Sequence, residues 1–193
     1  FFLTLSHYSV HTPLQAPEEM VARYDRKAAA LGPETEEHYE SERDASTKLR
    51  QDHATYAAMI ESTDESVGRI VEKIRELGLE EHTVVVFVSD NGGLSTLMRR
   101  NFNQATANVP LRAGKGWLYE GGIRAPLIVV TPGAPAGLDI AQPTTSNDLY
   151  PTLLELAGLT QMPEQHLDGE SLALAIFGQR VAAEQPLYWH FPH

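Results

Sequence analysis

The chain contains one continuous apolar run of strand length, Thr83-Val84-Val85-Val86-Phe87-Val88, followed directly by Ser89-Asp90-Asn91-Gly92-Gly93. Because apolar residues do not alternate with polar ones, the run predicts a strand buried on both faces, as in a parallel sheet. The Asp90 carboxylate and the Asn91 carboxamide then follow the carboxyl end of that strand. In open α/β sheets this edge is where ligands bind. The stretch therefore predicts an α/β fold with a ligand site just beyond the strand.

A long loop follows, from Leu94 to Arg124, and it has neither a helical nor a strand period. Irregular segments of this length inside compact domains are usually functional or disordered. The loop is rich in glycine, and its charge is +4, whereas the whole chain has a net charge of −11. Its cations are Arg99, Arg100, Arg112, Lys115 and Arg124, against the single acid Glu120. Charge alone leaves two interpretations open: a loop that binds an anionic ester, or a solvated basic surface.

Length and composition limit the class of protein. A chain of 193 residues with 42% hydrophobic residues is long enough for one domain with an ample core. It has no apolar run of about 18 residues, so no membrane span is predicted. The acidic balance argues against a nucleic-acid partner, which would need a basic face. The absence of cysteine excludes disulfides and thiolate metal sites.

The remaining pattern predicts helices alternating with strands. Phe1–Ser6 is predicted as a buried strand, and Pro17 to Leu31 as a helix stopped by Gly32-Pro33. The acidic stretch Glu34–Asp44 is either a cation site or, as we favour, a solvated surface insertion. Further predicted elements are a helix over Ser46–Leu77 capped by Ser46 or Thr47, a strand over Pro126–Thr131, a helix capped by Asn147 or Asp148 and ended by Gly158, a short helix from Asp168 to Phe177, and a strand over Pro186–Phe191.

Three segments of the central stretch resemble, in this order, the sulfatase family of the alkaline-phosphatase-like superfamily. They are Ser89-Asp90-Asn91-Gly92-Gly93, Pro110-Leu111-Arg112-Ala113-Gly114-Lys115-Gly116 and Tyr119-Glu120-Gly121-Gly122-Ile123-Arg124-Ala125-Pro126. The upstream residues Phe1-Phe2-Leu3, His7 and Val10-His11-Thr12-Pro13-Leu14 are similar to the same family, as is the downstream run Asp148-Leu149-Tyr150-Pro151-Thr152-Leu153-Leu154. The ordered series is far more specific than any single segment.

The resemblance implies an α/β fold with a mostly parallel sheet sandwiched by helices, alkaline-phosphatase-like and here incomplete. Residues 1–193 would form a single incomplete catalytic domain. Sulfatases use a formylglycine made from the first residue of a C-x-P-x-R or S-x-P-x-R motif, and neither motif occurs in this sequence. We therefore expect the middle of a sulfatase, without the nucleophile-bearing N-terminal segment or the C-terminal strands, and inactive by itself.

The resemblance also assigns roles to individual residues. It implies that His11 and Lys115 are catalytic and that Asp90 and Asn91 belong to a Ca²⁺ site (Mg²⁺ being less favoured). We also predict that His7, Arg99 and Arg112 contact the substrate, Arg99 because it lies in the least patterned part of the loop. From the residues alone, other roles stay open. Asp90 and Asn91 also suit an Asx turn before Gly92-Gly93. For Arg112 and Arg124 we favour structural roles, such as an ion pair between Arg124 and Glu120.

The function implied is hydrolysis of a sulfate monoester by a metal-dependent enzyme. The substrate would be a small-molecule or carbohydrate sulfate ester. One alternative is a phosphodiesterase or phosphonate hydrolase of the same superfamily. Another is a non-catalytic ion-binding chain, which the missing nucleophile motif favours. The resemblance implies a periplasmic or secreted location, and the sequence does not determine the oligomeric state.

Overall fold

The computed structural model describes residues 1–97, 104–165, 168–179 and 186–191. They form two compact units. The first comprises Phe1–Leu77 and Val88–Pro126, together with Phe191. The second comprises Gly78–Phe87 and Leu127–His190. Every described residue with a predicted catalytic, substrate or metal role lies in the first unit, so its internal contacts define the candidate site.

Two packed helices form one side of the first unit. Helix α1 spans Glu18–Ala29, close to the predicted helix, with acids in its first turn and basic residues in its last. Helix α2 spans Ala54–Glu76 and ends before Gly78, whose φ of +66° suits the left-handed position after a helix. The helices contact each other, and the Ser62 hydroxyl donates to the Met20 sulfur at 3.4 Å.

A three-stranded antiparallel sheet precedes and follows α2 in sequence, and the pattern did not predict it. Strand β1 is Tyr39–Glu42, β2 is Ala45–Lys48 and β4 is Thr96–Leu97, with β2 in the middle. The prediction that Ser46 or Thr47 caps α2 was wrong, because both residues are buried in β2. The Thr47 hydroxyl instead shares a 2.8 Å hydrogen bond with the Thr96 hydroxyl of β4. Helix α2 is capped by the His53 ring, which accepts from the Tyr56 amide at 3.2 Å.

The second unit contains the strand that the sequence singled out. Strand β3 spans Val85–Val88, whose last residue belongs to the first unit, and it pairs with β5, Leu127–Val130, in a two-stranded sheet. Helix α4 spans Leu149–Leu156 and the short helix α5 spans Ala173–Ile176, whereas the short helix α3, Glu120–Ile123, belongs to the first unit. The Asp148 carboxylate does not cap α4. It accepts from the Thr145 amide at 2.6 Å and the Glu170 amide at 2.9 Å, so it joins the segments before α4 and α5.

Three further strand predictions differ from the structure. Phe1–Ser6 and Pro186–Phe191 form no strand, and their large apolar residues are exposed, Phe1 by 93% and Tyr188 by 87%. Strand β3 is partly exposed at Phe87 and Val88, not buried on both faces. The physical reason is the same in each case. Within the described residues, too few neighbouring strands or helices are present to form the backbone hydrogen bonds of these runs and to bury their apolar side chains.

The acidic stretch over Glu34–Asp44 is partly β1, and two of its carboxylates, those of Glu34 and Glu42, pair with cations of the same unit. Glu34 lies 3.1 Å from the Lys48 ammonium, for example. A search of the described residues for helices long and apolar enough to cross a membrane finds none.

Candidate functional site

The Ser89–Gly93 segment leaves β3 and enters a cluster of backbone contacts within the first unit. The Gly92 amide donates to the Gly122 carbonyl at 3.0 Å, and the Lys115 amide donates to the Gly93 carbonyl at 3.1 Å. The Gly121 amide donates to the Arg112 carbonyl at 2.8 Å. All three segments that carry the sulfatase resemblance are therefore joined directly, main chain to main chain.

Glycine permits this close approach. A Cβ atom at Gly92 would lie 1.8 Å from the Gly121 oxygen, and one at Gly121 would lie 2.2 Å from the Ala113 oxygen. A Cβ at Gly114 would lie 2.4 Å from the Gly93 oxygen. Real side chains do not come so near backbone atoms, so these positions hold glycine because three backbone segments touch there. Residues 111–122 of the loop are thus held against Gly92 and Gly93 by close main-chain contacts.

Asp90 and Asn91 bring two oxygen donors to one edge of this cluster. Asp90 is exposed, and no described residue donates a hydrogen bond to its carboxylate. The Asn91 side-chain nitrogen donates to the Gly92 carbonyl at 2.9 Å, which leaves its oxygen as the free acceptor. The Ser89 hydroxyl donates to the Asn91 carbonyl at 2.9 Å and fixes the turn. Neither side-chain oxygen accepts a hydrogen bond from a described residue, so the Asx turn suggested by the sequence does not form and both oxygens remain available to a cation.

Lys115 differs from the other described cations of the loop. The Arg124 guanidinium lies 3.1 Å from the Glu120 carboxylate, the ion pair that the sequence suggested. Arg112 pairs with Glu42. No described carboxylate pairs with Lys115, whose side chain is half-buried. Within the described part of the loop, Lys115 is therefore the cation whose charge is not already offset by an ion pair.

Arg112 connects the loop to strand β1. Its Nε and a terminal nitrogen donate to the two Glu42 oxygens at 2.8 Å and 2.6 Å, a bidentate arrangement. Its guanidinium also lies 3.9 Å from the centre of the Tyr119 ring. Hydrogen bonding from Arg112 lowers the pKa of the Glu42 carboxyl, and the reciprocal bond raises the pKa of Arg112. These contacts agree with a structural role, and contact with substrate stays a prediction.

The two histidines make their contacts away from the cluster. The His7 Nε2 lies 3.0 Å from the Ser66 hydroxyl of α2. The His11 Nδ1 lies 2.8 Å from the Thr12 carbonyl, and since a carbonyl only accepts, this nitrogen carries the proton. Both side chains are exposed. Among the described residues, no hydrogen bond links either imidazole to Asp90, Asn91 or Lys115, so their roles also stay predictions.

Arg99 lies outside the described residues. Within the described ranges there is no group of three or more His, Asp or Glu side chains that could hold a metal ion. Asp90 and Asn91 therefore amount to two ligands, fewer than the six to eight oxygens that Ca²⁺ takes.

One residue at the centre of the cluster was missed by sequence reasoning. The Asn108 side chain bonds to both the amide and the carbonyl of Gly93, at 3.1 Å and 2.9 Å. The available signal was its position, two residues before the Pro110–Gly116 segment, together with an amide group that both donates and accepts. Nothing in the spacing showed that its partner lies fifteen residues earlier in the chain.

Comparison with known proteins identifies the family. The sulfatase family model matches residues 1–159. The chain is 33% identical to a sulfatase of Formosa agariphila over 206 residues, covering 100% of this chain and 33% of that protein. It is 33% identical to human arylsulfatase A over 153 residues, covering 79% of this chain and 29% of the relative. The chain thus spans about a third of the length of the curated relatives it matches.

The fold gives the same result. The crystal structure of Ps i-CgsB in complex with k-i-k-neocarrahexaose superimposes with a TM-score of 0.66 at 33% identity, covering 88% of this chain and 32% of that one. A second structure of Ps i-CgsB gives a TM-score of 0.65 at 34% identity, covering 89% of this chain and 32% of that chain. The fold is therefore of the α/β, alkaline-phosphatase-like class. The chain belongs to the sulfatase family, whose members in general use a metal ion and a formylglycine.

Proposed function

We propose that this chain forms part of a Ca²⁺-dependent hydrolase that cleaves the sulfate monoester of a carbohydrate. The supporting observation is the direct backbone contact between Gly93 and Lys115. It connects the segment that carries the side-chain oxygens of Asp90 and Asn91 to Lys115, which pairs with no described carboxylate, through a few residues of tightly packed main chain. An anionic ester needs both a metal-binding edge and a fixed positive charge, and this cluster supplies candidates for each.

Lys115 is proposed to act on the sulfate group. A sulfate monoester carries its negative charge on nonbridging oxygens, which a fixed ammonium stabilises as the ester bond breaks. Such a group contributes most when it is held in place before the reaction begins. The Lys115 main chain is held by Gly93, and its ammonium has no described carboxylate competing for it.

Asp90 and Asn91 fit a hard cation by the chemistry of their donors. Carboxylate and carboxamide oxygens are ligands that Ca²⁺ prefers, and Asn91 is already oriented with its nitrogen turned toward the Gly92 carbonyl. The family's metal and formylglycine, when present, supply Lewis-acid stabilisation and the nucleophile. In this proposal Asp90 and Asn91 would supply two of the oxygen ligands that hold the metal.

His11 is proposed to assist departure of the alcohol. Its Nδ1 proton is committed to the Thr12 carbonyl, so Nε2 is the nitrogen able to take up and deliver a proton. An imidazole titrates near neutrality and can protonate a leaving alkoxide at that atom. His7 is proposed to bind a substrate oxygen, which requires its ring to leave or share the Ser66 hydroxyl.

Two of the similar proteins support a sugar as the alcohol component. N-acetylgalactosamine-6-sulfatase of Canis lupus familiaris is 35% identical over 136 residues, covering 70% of this chain and 25% of the relative. The structurally similar Ps i-CgsB was crystallised with an oligosaccharide, k-i-k-neocarrahexaose. These two proteins support a carbohydrate sulfate as the natural substrate.

The decisive experiment compares sulfate and phosphate esters with the intact protein. We expect it to hydrolyse a chromogenic aryl sulfate and a sulfated oligosaccharide, and to hydrolyse the matching aryl phosphate and phosphodiester more slowly. A chelator should abolish sulfate turnover, and added Ca²⁺ should restore it more fully than Mg²⁺. Faster phosphodiester turnover would favour the alternative class of hydrolase. An intact protein inactive on every ester would contradict the proposal.

A further inference from the structure

Asn108 bonds to main-chain groups close to both parts of the candidate site, the Asp90-Asn91 pair and Lys115. Its side-chain oxygen accepts from the Gly93 amide at 3.1 Å. Its side-chain nitrogen lies 2.9 Å from the Gly93 carbonyl and 3.0 Å from the Ala113 carbonyl. One side chain therefore bonds to the residue two positions after Asn91 and to the residue two positions before Lys115.

The Gly93 carbonyl is the shared point of this arrangement. It accepts both from the Asn108 side chain and from the Lys115 amide at 3.1 Å. By bonding to the amide and the carbonyl of Gly93 together, Asn108 fixes the two peptide groups that flank this residue, as a neighbouring strand would. A rotation of Gly93 would move the main-chain bond to Lys115 and the Asp90-Asn91 turn at the same time.

The surroundings of Asn108 leave little room for an alternative. Ser95 is fully buried, its hydroxyl lies 2.9 Å from the Asn108 nitrogen, and it donates to the Ala113 carbonyl at 3.0 Å. A Cβ atom at Gly114 would come within 2.8 Å of the Asn108 nitrogen. The amide thus fills the space beside Gly114 and supplies both donor and acceptor atoms that apolar or acidic residues lack.

From these contacts we propose that Asn108 is a positioning residue for Lys115 and for the Asp90-Asn91 pair. This role rests on the proposed function. Asn108 contacts no substrate in this scheme; it acts by holding Gly93, and through Gly93 the ammonium and the metal-binding oxygens, in register. Errors of about 1 Å in the placement of reacting groups can cost about 10²-fold in rate.

Asn108→Asp tests the role with almost no change in size. The carboxylate can still accept from the Gly93 amide, but it cannot donate, so it faces the carbonyl oxygens of Gly93 and Ala113 without a proton between them. In the intact protein we expect kcat for a chromogenic aryl sulfate to fall about 10- to 100-fold, while KM changes by less than about threefold. Asn108→Ala introduces no charge and carries the same expectation if N108D does not fold.

Gln104→Ala is the matched control. Gln104 is a buried amide in the same loop, and its nitrogen donates to the Ser46 carbonyl at 2.8 Å, away from Gly93. We expect it to lower Tm as the Asn108 variants do, yet to keep kcat of the folded protein within about threefold of wild type. This control separates positioning from a general loss of packing.

The outcomes distinguish the two proposals. An active wild type with unchanged kcat in the folded Asn108 variants would overturn the role of Asn108 alone. An equal loss of kcat in Q104A at the same Tm would also overturn it, since any buried amide would then serve. A wild-type protein that hydrolyses no sulfate ester would overturn the proposed function, and this role with it.

Discussion

Lys115 is the residue on which the proposed chemistry most directly depends. Its ammonium lacks a described carboxylate partner, whereas Arg112 and Arg124 of the same loop are each paired. A net loop charge counted from sequence therefore overstates the positive charge available to a ligand. The relevant quantity is the charge that remains after ion pairs are formed.

Lys115→Ala should lower kcat for a sulfate ester about 10²–10³-fold in the intact protein, by analogy with removing one preorganised donor from an oxyanion site. Lys73→Ala is the charge-matched control, because Lys73 lies on the exposed face of α2 and pairs only with Glu76. We expect that variant to behave as wild type. Steady-state kinetics on both variants would exclude Lys115 from the site if its loss is under about tenfold.

Variants of Arg112 and Glu42 can distinguish whether Arg112 serves to pair with Glu42 or to contact the substrate. Glu42→Gln removes its partner but leaves the guanidinium in place. If Arg112 acts by pairing, E42Q should lower Tm, and R112Q should lower it further because it also loses the contact with the Tyr119 ring. The double variant should lower Tm no more than R112Q does, and kcat/KM should stay unchanged in E42Q. A loss of kcat/KM confined to R112Q would instead support contact with substrate.

The same pair has a defined pH dependence. Hydrogen bonding from Arg112 lowers the pKa of Glu42 below its usual 4.5, so the unfolded chain takes up the proton first as pH falls. The stabilisation is therefore complete above about pH 4.5 and is lost as the pH falls through the lowered native pKa. The Tm difference between wild type and E42Q should accordingly be constant near neutrality and vanish in acid. A difference that grew in acid would contradict this assignment.

Among the secondary-structure elements and loops, the glycines that follow β3 have a different role from the glycine within α2. Gly121→Ala should lower the free energy of unfolding by about 3 kcal/mol or more, because the new Cβ would lie 2.2 Å from the Ala113 oxygen. Gly68→Ala, with nothing within 4 Å of its Cβ, should raise it by about 0.5–1 kcal/mol through helix propensity. Chemical denaturation of both variants measures the contrast. Equal effects would mean that the two backbones are not in contact as described.

Helix prediction succeeded where periodicity and stop signals agreed. Helix α1 and the end of α2 at Gly78 match the pattern closely. The start of α2 was placed eight residues too early because Ser46 and Thr47 resemble caps, whereas their hydroxyls serve the β2–β4 and loop contacts. Serine and threonine serve both as helix caps and as buried partners in hydrogen bonds between strands. Only the partner in the folded structure, such as Thr96 for Thr47, shows which of the two roles a residue has.

For the whole molecule, the family motifs determined more of the candidate site than local patterns did. The ordered segments correctly indicated the α/β class and the sulfatase family, and the contacts at Gly92, Gly93 and Gly121 join those segments in space. Local patterns could not reveal Asn108, Ser95 or Glu42. Each acts through a partner distant in sequence, and hydrogen-bonding capacity alone does not identify that partner.

The backbone-to-backbone packing at Gly92, Gly114 and Gly121 has a practical consequence for engineering. Substitutions at these glycines cannot be used to change substrate selectivity, because the packed main chain leaves no space for a side chain. Altered selectivity must instead come from neighbouring positions that have space for a different side chain, such as Leu94 and Leu118, which are 42% and 47% exposed. A mutant library for altered selectivity should therefore randomise those leucines and keep the three glycines.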